Sequence, residues 1–98
     1  MKIYRVEIKP TAESDLERRY LQIAEESPQN AVSWYLDIIN AIEKLDNLAE
    51  RCPIAPEDLD IQRGIRHLVI GNYRVLYWIN EDVVEVLHVR HSRHDRKL

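Results

Sequence analysis

Three runs in the C-terminal third, GIRHLVI, YRVLYWI and VVEVLHV, alternate with a period of two and are rich in β-branched and aromatic residues. Between them stand Gly71-Asn72 and Asn80-Glu81-Asp82, which have the composition of tight hairpin turns. The three runs therefore predict a β-meander, and the rest of the chain has to supply the cover for one of its faces. Alternation also assigns sides. On the middle strand Arg74, Leu76 and Trp78 point one way, and Tyr73, Val75, Tyr77 and Ile79 point the other. On the strand before it Arg66 shares a side with Leu68 and Ile70. On the last, His88 and Arg90 are expected to share theirs with Val84 and Val86.

The N-terminal half carries the cover. KIYRVEI reads as a strand with Tyr4, Val6 and Ile8 on one side, ended by Pro10. TAESDLERRYLQIAEE follows as an amphipathic helix, with Thr11 as its cap, acids at 13, 15 and 17 near the positive end of the dipole, and Ala12, Leu16, Tyr20 and Ile23 on one face. Ser27 then caps a second helix that has Pro28 at its first position, where a missing N–H costs nothing. Its stripe of Tyr35, Ile38, Ile42, Leu45 and Ala49 keeps the helical period until Pro53 stops it. So short a break makes the two helices an antiparallel hairpin. CPIAPEDLDIQ, residues 52–62, reads as a surface loop. The order is βααβββ, an α+β domain over residues 1–98 in which the helical hairpin packs on one face of an antiparallel sheet.

A chain of 98 residues makes one domain and buries roughly 60 to 65% of its unfolded surface, so function is expected on its exterior. No apolar run approaches the length of a membrane span and no leader-like segment precedes the first strand, which points to a cytoplasmic protein. A single cysteine, Cys52, has no local partners for a metal site and is expected to serve packing. The net charge of −3 conceals an asymmetry: residues 1–60 carry 7 Lys and Arg against 13 Asp and Glu, and residues 61–98 carry 7 against 4. A basic patch on an acidic protein can meet phosphates or an acidic partner, without the long-range attraction to nucleic acid of a strongly basic domain.

Candidates for chemistry lie in the basic half. Arg66, Arg74, Arg90, Arg93 and Arg96 could form a cationic groove suited to phosphate or carboxylate, because arginine presents a planar fork of donors. From the residues alone the favoured reading is instead that each lies over apolar surface or pairs with an acid of the 57–60 loop. His88, His91 and His94 recur every third residue, but on a strand running into a tail they diverge, so no metal site is expected. His91 or His94 could move a proton beside arginines that stabilise a charged phosphorane, or could have no duty at all. No glycine-rich phosphate loop, Ser/His/Asp order, HExxH pair or CxxC spacing occurs, and no cofactor is implied.

SPQNAVSWYLDIINAIEKLDNLAERCP followed by GIRHLVIGNYRVLYWINEDVVEVLHVRHSRHD resembles the toxins of type II toxin–antitoxin systems, the RelE/ParE superfamily once labelled plasmid stabilisation proteins. The resemblance spans nearly the whole chain and rests on order, spacing and length. It implies a growth-inhibiting toxin neutralised, in a hetero-oligomeric complex, by an antitoxin whose extended segment masks the active surface. RelE-like members are ribosome-dependent endoribonucleases, in which a ribose 2′-hydroxyl attacks the adjacent phosphate of mRNA. For that branch the resemblance puts Arg74 at the middle-strand arginine, with Arg66, Arg90, His91, Arg93 and His94 as further basic residues. ParE-like members poison DNA gyrase without known catalysis, and the ending VLHVRHSRHD is closer to theirs. The absence of lysine between Lys44 and Lys97 and of any aromatic after Trp78 also departs from the ribonuclease pattern. The expectation is therefore ParE-like, with the mRNA endoribonuclease and an inactive antitoxin-binding module as alternatives.

Overall fold

The computed structural model describes residues 2–91. Strand β1 (Arg5–Ile8) leads into helix α1 (Pro10–Glu26) and, after Ser27 alone, helix α2 (Pro28–Glu43); a helical turn, α3 (Leu45–Leu48), continues the second helix past Lys44. A second short turn, α4 (Asp58–Ile61), precedes the meander of β2 (Arg66–Ile70), β3 (Tyr73–Asn80) and β4 (Val83–His91). Both hairpins close with two-residue loops, since Ile70 pairs with Tyr73 and Asn80 with Val83. Gly71 and Glu81, the first residue of each loop, have φ of 56°, the sign that a loop matching the twist of its strands requires.

The sheet order is β1-β4-β3-β2, and it is mixed. The expected antiparallel sheet is corrected at β1, which runs parallel to β4 with Arg5 opposite Val83 and Ile8 opposite Val86. The physical reason is a parity of reversals. Helix α1 carries on in the direction of β1, so Asp15 meets Val89 and Arg19 meets Tyr73, beside the end of β4. Helix α2 then returns the chain to the start of the sheet, where the Asp46 carbonyl accepts from the Tyr4 amide. From there β2 sets off parallel to β1, and two hairpin turns give β4 the same direction.

Because β1 has four residues, it covers only the first part of β4. Beyond Val86 the side chains of α1 take over the exposed edge. The Thr11 hydroxyl donates to the Leu87 carbonyl at 2.5 Å, and the Asp15 carboxylate accepts from the Val89 amide at 3.1 Å. Unpaired strand edges invite association, and here helix side chains saturate one. Thr11 is thus inside the first turn rather than capping it; the N-cap is Lys9, which makes no capping bond. Ser27 does cap α2, accepting from the Asn30 amide at 3.2 Å.

The hairpin face of the sheet holds the larger core. Leu16, Ile38, Ile42, Leu45 and Ala49 from the helices meet Val75, Tyr77, Val84, Val86 and Val89. Full burial of side chains such as Ile38 and Ile42 contributes about 1.5–3 kcal/mol each. Tyr35, expected in this stripe, lies outside it at 39% exposure, edge-on to Tyr20. The Tyr77 hydroxyl is buried too and donates to the Ala49 carbonyl at 2.7 Å; burial holds that phenol far above its ordinary pKa. Cys52 packs into this core.

Residues 52–62 are only in part a surface loop: Ile54 and Leu59 are exposed, whereas Cys52, Ala55 and Glu57 are buried. The segment curls beneath the opposite face, where Ala55 and Ile65 are buried against Leu76, with Ile61, Trp78 and Leu87 alongside. Its return is fixed by Asp58, whose carboxylate accepts from the amides of Arg63 and Ile65 at 2.8 and 2.9 Å. Prolines and acids suggested solvent because their partners are remote in sequence, and Glu57, 6% exposed, has its partner on β3.

Candidate functional site

The middle strand places Arg74 on the sheet face opposite the hairpin, and there it is enclosed. At 6% exposure it forms two parallel bonds with Glu57, from Nη1 to Oε1 at 2.9 Å and from Nη2 to Oε2 at 2.5 Å. Burial alone would raise the Glu57 pKa, but the Arg74 bonds, a backbone bond and the charges of Arg74 and Arg90 hold it below its usual range. A planar fork met by a carboxylate at these distances is a charge-neutral unit. Arg74 Nη1 also lies 3.2 Å from His67 Nδ1. Arginine has no acceptor, so the imidazole accepts at Nδ1 and carries its proton on Nε2. Burial first, and then the Arg74 charge, lower the His67 pKa.

Arg90 stands directly across from Arg74 in the β3–β4 register. It is there because of a β-bulge. Leu76 pairs with His88 but Tyr77 pairs with Val86, so Leu87 is the extra residue on β4. This corrects the expected sides: Val84 and Val86 face the hairpin, whereas Arg90 shares the face of Arg74. The sequence carried a trace of the bulge, since the buried valines are spaced two apart at 84 and 86 and then three apart at 89.

The other expected residues separate. Arg66 pairs in register with Tyr77 and so lies on the hairpin face, its Nη1 donating to the Cys52 carbonyl at 2.6 Å. Arg66 and Arg74 do not converge on one groove. His91 stacks edge-on against Tyr73, with centroids 5.3 Å apart, at the end of β4. Arg93, His94 and Arg96 lie outside the described residues. The pairing of Arg74 with an acid of the 57–60 stretch was one of the readings open in the sequence, and Glu57 is that acid; His67 was not singled out.

Beside the ion pair the same face opens into a groove of 680 Å³ floored by Ile65, Leu76 and Leu87 and walled by Arg63, Trp78, His88 and Arg90. Trp78 is fixed by a 2.7 Å bond from Nε1 to the Glu85 carboxylate, and the Arg63 guanidinium lies 6.0 Å from its ring centroid. Among the described residues no group of three or more His, Cys, Asp or Glu side chains is placed to hold a metal. The face is an apolar groove with a basic rim, and beside it the strand arginine is neutralised.

Residues 6–96 match the family described as ParE toxin of type II toxin–antitoxin system, parDE. The chain belongs to this family. It is accordingly the toxin of a type II toxin–antitoxin system. Among solved structures, the fold is shared with the chromosomal ParDE toxin–antitoxin system from P. aeruginosa, at TM-score 0.76 and 16% identity over 91% of this chain and 96% of that one. It is also similar to a chain of the RelBE2 toxin–antitoxin complex from Mycobacterium tuberculosis, at TM-score 0.59 and 25% identity over 91% and 98% of the two chains. No curated protein sequence matches this one. No helix among the described residues of this ParE-family chain is long and apolar enough to cross a membrane.

Proposed function

We propose that this ParE-family toxin arrests growth by binding and poisoning DNA gyrase, without cutting RNA. The observation that carries the reading is the state of Arg74. An arginine that stabilises a phosphorane needs its charge and its donors for substrate, and Arg74 has given both to Glu57 beneath the surface. The net charge of −3 also disfavours entry into a polyanionic ribosome. The test is a supercoiling assay with purified gyrase, in which the toxin should inhibit supercoiling and accumulate cleaved DNA. Unaffected gyrase, together with Arg74-dependent cutting of mRNA in a translating extract, would instead establish the ribonuclease.

The reading includes a cognate antitoxin, and two features support its capture. The outer surface of the hairpin exposes Leu21, Val32, Tyr35 and Leu36, and a groove of 520 Å³ runs between α1 and α2 past Tyr20 and Leu16. Glu13 and Glu17 flank it, favouring an amphipathic segment with basic residues on its margin. β2 is an edge strand of the sheet; the 53–55 segment already bonds its first residues, and residues 68–70, with Val69 at 57% exposure, are left for an added strand. An acidic segment lying over both Arg66 and Arg74 is disfavoured, because the two occupy opposite faces.

A further inference from the structure

The two long helices carry seven acids and only two basic residues, Arg18 and Arg19. Both line a cleft of 440 Å³ between the hairpin and the end of β4, a volume within the range of small-ligand sites. Arg90 also lines the cleft, from the strand, and among its described lining residues the one carboxylate is that of Asp15. Asp15 is already engaged: Oδ2 accepts from the Val89 amide and lies 3.1 Å from His88 Nδ1, and Oδ1 lies 3.5 Å from Arg18.

Arg19 is the informative residue. Its Nε donates to the Tyr73 hydroxyl at 2.7 Å, its Nη1 donates to Gln22 at 3.0 Å, and its guanidinium lies 5.5 Å from the Tyr73 ring centroid. These partners are neutral acceptors and an aromatic ring. They orient the fork and leave its charge and remaining donors for something else. Trp34, from α2, packs edge-on to the same Tyr73 with centroids 5.4 Å apart, and its indole Nε1 is buried without a hydrogen-bond partner. A buried N–H without an acceptor costs free energy unless a ligand supplies one.

We propose that this cleft is a binding site for a phosphate group, free or carried by a nucleotide. Its charge comes from Arg18 and Arg19 of α1 and a further N–H from Trp34 of α2, and a tetrahedral anion has several terminal oxygens to offer to donors from different directions. A planar carboxylate has two oxygens and satisfies fewer. Tyr73 and Trp34 give the pocket an aromatic side on which a nucleobase can pack.

The test is an NMR titration of the full chain, reading the two indole N–H signals, with the Trp34 signal identified by a Trp78→Phe variant. Inorganic phosphate and AMP, added at constant ionic strength against chloride, should shift the Trp34 indole saturably and leave the Trp78 indole, bonded to Glu85, in place. Tighter binding of AMP assigns the site to nucleotides, and equal binding assigns it to phosphate itself. Arg19→Gln should weaken binding at least about tenfold, which corresponds to about 1.4 kcal/mol. Arg18→Gln, whose side chain is 67% exposed and outside the core, should weaken it with no change in thermal midpoint. Arg5→Gln, on β1 with its side chain 75% exposed and outside the cleft, should have no effect. The proposal is overturned if the Trp34 indole does not shift saturably, if the shift survives both Arg18→Gln and Arg19→Gln, or if acetate and glutamate bind as well as phosphate.

Discussion

Arg74 and Arg19 are both guanidinium groups held by side-chain hydrogen bonds, and they stand in opposite electrostatic situations. Arg74, under the sheet, meets a carboxylate that cancels its charge. Arg19, in the cleft beside the hairpin, meets a phenol and an amide that aim the group without neutralising it. The difference teaches that the partner's charge, more than the strand position, decides whether an arginine remains available to a ligand. The first serves to join the 52–65 segment to the sheet, and the second is left over for function.

The largest expected effect tests the structural half of this contrast. Removing one member of a buried ion pair leaves the other charge uncompensated, at a cost of about 3–5 kcal/mol. Arg74→Ala and Glu57→Ala should each lower stability by that amount in urea unfolding. The double variant Glu57→Leu/Arg74→Met, which removes both charges and keeps volume, should recover to within about 1 kcal/mol of the parent, since two matched apolar groups replace two matched charges. If Arg74→Ala unfolds at the parental urea concentration, Arg74 is not a structural residue and the contrast with Arg19 collapses.

The sequence showed where these arginines stand along the chain but not what they face. Alternation placed Arg74 opposite the side of Tyr77, and the structure agrees, because a strand's period is local. The Ser27 cap, the proline at the start of α2 and the two hairpin turns were equally legible for that reason. What was not legible is non-local. That an arginine could pair with an acid of the 57–60 stretch was read, but which arginine met which acid, seventeen residues apart, was not, nor was the bond of Arg19 to Tyr73, fifty-four apart. The bulge at Leu87 moved Arg90 from the side of Val86 to that of Arg74, and a single extra residue suffices for that. The parallel pairing of β1 depended on the course of two helices rather than on any property of KIYRVEI.

A middle-sized effect concerns pH. The folded-state pKa of His67 is depressed below its ordinary 6.5, by burial and by Arg74, so the unfolded chain takes up the proton first. Its contribution is complete above the unfolded value and declines as pH falls below about 6.5 toward the folded value. Glu57, depressed from 4.5, adds its stabilisation above that value and loses it as pH falls further. Thermal midpoints measured from about pH 8 to about pH 5 should therefore fall, and His67→Gln, which keeps an acceptor for Arg74, should flatten that decline. An unchanged slope in His67→Gln would remove the imidazole from the buried unit and leave the ion pair alone.

The smallest expected effect on stability is the one that sharpens the comparison most. Arg19→Ala removes a partly buried bond to the Tyr73 hydroxyl, worth about 0.5–1.5 kcal/mol, and a cation–π contact worth about 0.5–1 kcal/mol. The freed hydroxyl can turn to water in an open cleft, so the total should stay below about 2 kcal/mol, well short of the loss at Arg74. No carboxylate is stranded, because none was paired with Arg19. The same substitution relieves the cleft of a positive charge, and raising ionic strength should widen the stability gap between Arg19→Ala and the parent if repulsion from Arg18 contributes to it, because salt screens a repulsion that only the parent suffers. Urea unfolding at low and high salt measures both quantities. A loss at Arg19 equal to that at Arg74 would mean that its neutral contacts are structural after all, and that aim without neutralisation does not distinguish a binding arginine from a packing one.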